Sequence, residues 1–160
     1  MPGTLYIVAT PIGNLEDISP RTKRILADVA LIACEDTRHT RKLLSHLGLS
    51  TPLTSYYREK EQYKAEVLLE KLIAGQDLAL VSDAGTPGLS DPGAVLVRQA
   101  RGAGIKIVPI PGPSALAVAI SVAGLTENSF FFGGFPPSRQ AARRTLFKGL
   151  AALPWPPDFS

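Results

Sequence analysis

Short, continuous apolar runs alternate along this chain with longer amphipathic segments, and glycine- or proline-rich stretches separate the two. Leu5-Tyr6-Ile7-Val8-Ala9, Val29-Ala30-Leu31-Ile32-Ala33-Cys34, Asp77-Leu78-Ala79-Leu80-Val81 and Ile105-Lys106-Ile107-Val108-Pro109-Ile110 are such runs. Without a polar residue at every second position, they read as strands buried on both faces, the habit of parallel sheets. Pro52 to Tyr57 reads as a shorter strand, and Phe130-Phe131-Phe132 as one more. Between the runs the pattern turns helical. Ser19 and Pro20 supply an N-cap and a first helical position for a helix to about Ala27, and a second helix runs to Leu47 and stops at Gly48.

From Glu59 to Ala74, Tyr63, Val67, Leu68 and Leu72 keep helical spacing against charged positions, which predicts an amphipathic packing helix ended by Gly75. Ala94 to Ala100 is a further helix, ending at Gly102-Ala103-Gly104. Leu116 to Ala123 is apolar almost all round and predicts a buried helix, with Ala115, Ala117 and Ala119 small enough for close packing on the sheet. Strands alternating with helices predict an α/β fold: a mostly parallel sheet of about five strands flanked by helices.

In open sheets of this kind ligands sit beyond the carboxyl ends of the strands. Three loops there draw attention. Thr10 to Ile18 contains Gly13, which lets a ligand approach the backbone; Ser82 to Gly93 holds three glycines, two prolines and two aspartates; Pro111-Gly112-Pro113-Ser114-Ala115 opens a helix whose first N–H groups are free to meet a polar group. Each has a plain structural reading as well. The long loop is ordinary turn chemistry, and Ser114 is a helix cap. Glu35-Asp36-Thr37-Arg38-His39-Thr40-Arg41-Lys42 crowds two carboxylates and three cations at the end of a strand. Asp36 or Thr37 caps the following helix, while Glu35, Asp36 and Arg38 are placed to meet a polar or phosphate-bearing substrate; Arg41 and Lys42 read as a solvated face.

Composition narrows the classes. The chain has 160 residues, 45% hydrophobic and 19% charged, enough for one well-packed domain. A net charge of +3 and a pI near 9.2 permit an anionic partner without demanding one. The single cysteine, Cys34, excludes an internal disulfide. His39 and His46 have no ligand spacing with it, so no metal site is expected. The start has no basic n-region, and no apolar run approaches the roughly 18 residues of a membrane span, so the expectation is a soluble cytoplasmic protein. No G-x-G-x-x-G fingerprint, Walker loop or nucleophile elbow is present. Ser138 to Lys148 carries Arg139, Arg143, Arg144 and Lys148 without a carboxylate, and reads either as a short basic helix for nucleic-acid phosphates or as a solvated tail.

Four blocks in order carry a resemblance: Leu5 to Asp17, Glu35-Asp36-Thr37-Arg38, Val81 to Gly88, and Pro111 to Ala115. Together they resemble the tetrapyrrole-methylase superfamily, in its branch of small-subunit (16S) rRNA 2′-O-methyltransferases, from about residue 3 to about residue 140. The resemblance implies methyl transfer from S-adenosyl-L-methionine to the ribose 2′-hydroxyl of a cytidine. It implies a cofactor pocket of Pro11, Gly13, Leu15, Asp83, Gly85, Thr86, Pro87, Leu89, Ser114 and Ala115. Asp36, Glu35 and Asp83 are the candidate bases, unranked; Arg38 is a candidate for the RNA phosphate, as are Arg139, Arg143 and Arg144.

The implied organisation is a cofactor-binding α/β domain over 1–135, then a basic segment and proline-rich end over 136–160. The second α/β domain of the family is expected to be missing, and apolar surface exposed by its absence would favour a homodimer. Two other readings stay open. One is C-methylation of a tetrapyrrole precursor, against which the turn Thr10-Pro11-Ile12-Gly13-Asn14-Leu15 speaks; the other is a non-catalytic domain that binds RNA or dimerises.

Overall fold

The computed structural model describes residues 1–88, 92–125 and 130–152. It divides into two compact units, Met1–Val122 and Ala123–Ser160. The first holds five strands: β1 (Thr4–Val8), β2 (Leu31–Cys34), β3 (Leu53–Ser55), β4 (Leu78–Val81) and β5 (Lys106–Ile110). They form one sheet in the order β3-β2-β4-β1-β5, every pairing parallel. Helices α1 (Pro20–Asp28), α2 (Thr37–Leu47), α3 (Glu61–Ile73), α4 (Ala94–Gly102) and α5 (Ala115–Val122) complete this unit.

The sheet is buried on both faces because successive residues of its central strands serve opposite cores. Leu78 and Leu80 of β4 join Leu5, Leu68, Leu72, Leu96 and Ala100 on the face of α3 and α4, while Ala79 and Val81 join Val8, Leu26, Ile32, Leu44 and Ile110 on the face of α1 and α2. A continuous apolar run is what such a strand requires, since either parity of residue meets a helix. The helix ends follow local chemistry. The Ser19 hydroxyl accepts from Thr22 N–H at 3.0 Å with Pro20 at the first helical position, and Gly48, at φ 71°, closes α2 in the left-handed conformation that glycine adopts without strain.

Three expectations are corrected. Phe130-Phe131-Phe132 is irregular, with the three rings between 42% and 65% exposed; a strand needs an edge to pair with, and the described residues of Ala123–Ser160 contain none. Helix α5 forms where expected but buries no residue, and Ala117 and Ala119 are exposed rather than packed on the sheet. Leu116 and Ile120 are half-buried, and the rest of its apolar circumference is exposed. In α3 the buried stripe is Ala65, Leu68 and Leu72, and Tyr63 lies off that stripe at 65% exposure. The basic segment of the second unit does contain a helix, α6 (Gln140–Ala151).

Candidate functional site

The loop after β1 leads to α1 on one face of the sheet, and the loop after its neighbour β4 leads to α4 on the other. Adjacent strands whose connections depart to opposite faces leave a crevice between them, the usual ligand position in an open parallel sheet. The loops at this crevice are joined to one another. Thr10 and Gly85 form an antiparallel bridge, with Thr10 N–H to Gly85 O at 2.9 Å and Gly85 N–H to Thr10 O at 3.0 Å. The buried Thr10 hydroxyl donates to Ser82 O at 3.0 Å, and the Ser82 hydroxyl turns back to Gly85 O at 3.0 Å. The Thr86 hydroxyl donates to Pro113 O at 3.3 Å, which adds the third loop.

Glycine is required at two of these points for different reasons. Gly85 sits at φ 81°, and a Cβ there would lie 3.5 Å from the Ile12 side chain and 3.7 Å from Pro113 O. At Gly112 a Cβ would come within 2.9 Å of the Ala9 Cβ, so the third loop lies against the end of β1.

A cleft of about 120 Å³ opens beside the bridge, lined by Thr10, Pro11, Leu15, His39, Lys42, Leu43 and Asp83. Of the expected residues it collects Pro11, Leu15 and Asp83. Gly85 and Pro87 are buried and Thr86 half-buried in the adjoining loop; Gly13 is exposed, with open space where a Cβ would stand. Ser114 carries the start of α5, its carbonyl accepting from Val118 N–H at 3.0 Å, and Ala115 is exposed beside it. Leu89 lies outside the described residues.

The three carboxylates differ in what already holds them. Asp36 caps α2 by accepting from Arg38 N–H at 2.8 Å, and Arg38 folds back onto it through Nε at 3.3 Å and Nη2 at 3.1 Å. These bonds hold the Asp36 carboxyl down at about 2, against an ordinary 3.8. Asp83, half-buried, accepts from Asp36 N–H at 3.1 Å through Oδ1 and lines the cleft. That bond ties the end of β2 to the end of β4. Glu35 is half-buried and is not among the residues lining the cleft. Cys34 is wholly buried with its thiol toward Thr54 O at 3.6 Å, and burial raises its pKa. Such a thiol is an inert core residue.

Lys42, expected on a solvated face, is exposed, and both it and the likewise exposed His39 reach the cleft together with Leu43. Positions 39, 42 and 43 share one helical face at three- and four-residue spacing, and that was the available signal. In the second unit, Arg143 Nη1 donates to Ser138 O at 3.3 Å and to Pro137 O at 3.5 Å; Arg139 precedes α6, and Arg144 is exposed on it.

Comparison with known proteins agrees with this fold. The family Tetrapyrrole (Corrin/Porphyrin) Methylases matches residues 4–152. A protein of Xylella fastidiosa named ribosomal RNA small subunit methyltransferase I is 56% identical over 153 residues, covering 96% of this chain and 56% of that protein. The protein of the same name from Pseudomonas aeruginosa is 50% identical over 152 residues, covering 95% and 54%. The chain spans about half the length of the curated relatives it matches. Among solved structures, uroporphyrin-III-C-methyltransferase from Thermus thermophilus has the same fold, with a TM-score of 0.60 at 22% identity over 77% of this chain and 52% of that one. The five-stranded parallel sheet, the matched family and the close relatives agree: this chain belongs to the tetrapyrrole (corrin/porphyrin) methylase family, whose activity calls for a methyl donor.

Proposed function

We propose that the converging loops bind S-adenosylmethionine and that the chain serves methyl transfer to the ribose 2′-hydroxyl of a cytidine in small-subunit rRNA. The observation that carries this reading is the joining of three loops at the crevice between β1 and β4, through the Thr10–Gly85 bridge and the Thr86–Pro113 bond. Identity of 50–56% to proteins named for rRNA methylation supports the RNA substrate, and the motif resemblance supports the cytidine 2′-hydroxyl.

The residues present fit an S-adenosyl group. Backbone at Gly13 is open to close approach, a carboxylate at Asp83 suits a sulfonium cation nearby, and loop carbonyls and N–H groups suit adenosine and amino-acid polar atoms. The cleft is smaller than the roughly 300–1,000 Å³ of ordinary small-ligand pockets, so it holds one part of the ligand while the rest lies against the Gly85 and Ser114 loops.

S-adenosylmethionine, when bound, supplies an electrophilic methyl group on sulfur. The chain contributes position: holding a hydroxyl in line with that methyl is worth roughly 7–11 kcal/mol in effective molarity. It also contributes a carboxylate for the hydroxyl proton. We assign that role to Asp83 rather than Asp36, because a carboxylate held at about 2 has little driving force for taking a proton. Lys42 and His39 face the same cleft and suit an RNA phosphate, with Arg38, Arg139, Arg143 and Arg144 as further phosphate contacts.

The test separates binding from chemistry. Calorimetric titration of the folded chain with S-adenosylhomocysteine should give saturable binding; its absence overturns the cofactor reading. Transfer of labelled methyl to assembled small subunits, for Asp83→Asn, Asp36→Asn and Glu35→Gln at saturating cofactor, should lose most rate with Asp83→Asn. An unchanged rate for all three rejects the carboxylate base.

A further inference from the structure

The amino end of α4 carries an unusual cap. An α-helix leaves its first backbone N–H groups without partners, and the residue in the cap position is Gly93, at φ 148°, with no side chain to accept them. The acceptor arrives from another element. Glu61, the first residue of α3, places Oε1 at 2.8 Å from Gly93 N–H and 3.3 Å from Val95 N–H. The Tyr56 hydroxyl donates to the same oxygen at 3.3 Å. Tyr56 is wholly buried and Glu61 half-buried. One side chain, 32 and 34 residues away in sequence from the groups it serves, thus satisfies two N–H groups at the start of α4, and Tyr56 holds it there.

The carboxylate also stands at the positive ends of two helices at once, the first turn of α3 and the start of α4, where a negative charge is favoured. Burial in the first place, and then the Glu61 charge, push the Tyr56 hydroxyl far above its ordinary pKa, so it remains a donor to Glu61.

Gly93 is the far end of the loop that begins at Ser82. The near end is held by the Ser82, Thr10 and Gly85 bonds; the far end is held by Glu61. We propose that Glu61, supported by Tyr56, is a positioning residue for the candidate ligand site: by holding Gly93 it steadies the stretch Ser82–Gly88 and thereby sets the affinity of that stretch for its ligand. The link to affinity rests on the S-adenosyl reading above; the link to loop geometry does not.

The experiment uses the full chain and two readouts. Amide hydrogen exchange is followed at Gly93 and Val95 and across 82–88, and S-adenosylhomocysteine affinity is measured by calorimetry. Glu61→Ala should speed exchange at the two α4 amides and across 82–88, and should weaken binding about tenfold or more, with exchange in β2 unchanged. Glu61→Gln keeps an acceptor oxygen in the same place and should recover most of the affinity, which general destabilisation would not predict. Tyr56→Phe, which retains the ring and deletes the bond to Glu61, should speed the Gly93 and Val95 amides and weaken binding, both less than Glu61→Ala; these two milder variants decide the matter if Glu61→Ala does not fold. Faster exchange confined to 93–96, with exchange at 82–88 and affinity as in the wild type, overturns the proposal and leaves Glu61 an ordinary helix cap. If the wild type binds no S-adenosylhomocysteine, the cofactor reading falls by itself, and exchange across 82–88 still decides whether Glu61 anchors the loop.

Discussion

Helices α4 and α5 occupy equivalent places in the chain, each following a glycine- and proline-bearing loop at the carboxyl edge of the sheet, and they meet opposite fates. Helix α4 is amphipathic, buries Leu96 and Ala100, and is capped by side chains from elsewhere in the fold. Helix α5 is the more apolar of the two, yet buries no residue fully, with Leu116 and Ile120 half-buried and Val118 51% and Val122 78% exposed. The loops differ in the same direction. The one leading to α4 is bonded to Thr10 on both strands of a bridge and to Glu61; the one leading to α5 is joined to its neighbour through Thr86. Apolarity makes burial favourable, but burial happens only where another surface faces the helix.

That contrast can be broken, beginning with the largest effect. Leu96→Ala removes a side chain with no exposed surface from the core shared with Leu5 and Leu80, and should cost about 2–5 kcal/mol in denaturant unfolding. Gly85→Ala places a Cβ at φ 81°, and should cost roughly 1–2 kcal/mol and weaken S-adenosylhomocysteine binding in calorimetry. Thr86→Val deletes the hydroxyl on Pro113 O and should cost about 0.5–1.5 kcal/mol, with faster amide exchange over 114–118 as its signature. Val118→Ala on α5 should stay within about 0.5 kcal/mol of wild type. A loss at Val118 as large as at Leu96 would mean that α5 is covered in solution and would remove the contrast.

The charged cluster after β2 yields a prediction in pH rather than in stability. The folded-state pKa of Asp36 is depressed, to about 2 from 3.8, so the Arg38 interaction is complete above the ordinary value and is lost as pH falls through about 2. Arg38→Ala should therefore raise the Asp36 titration toward 3.8, read from carboxyl carbon shifts by NMR. An unmoved titration would show that the backbone cap alone holds the carboxylate.

Most of the sheet was legible because the strands are short, apolar and bounded by turn residues, and the caps at Ser19, Asp36 and Gly48 lie within the stretch they terminate. The convergence of the three loops was legible for a similar reason: loops after parallel strands emerge at one edge. What escaped were features with partners far along the chain. His39 and Lys42 look like part of a solvated face until the Thr10–Leu15 loop is set beside them, and Glu61 looks like the first residue of a surface helix until Gly93 arrives above it. The Phe130–Phe132 strand failed for the complementary reason, since β-prone residues specify a tendency but not an edge to pair with.

The sequence by itself determined the α/β alternation, the parallel sheet, and the glycine-rich loop from Ser82 to Gly93 as part of a family motif. The first two depend on local propensity and periodicity, which each segment carries alone, and the third rests on the resemblance of four blocks taken in order. Only the tertiary structure decided that Asp83 lines the cleft beside Thr10 and His39, that α5 buries no residue, and that the end of the long loop is held by Glu61. Each of those is a relation between groups distant in sequence, and hydrogen bonds and burial exist only once the chain has brought both members together.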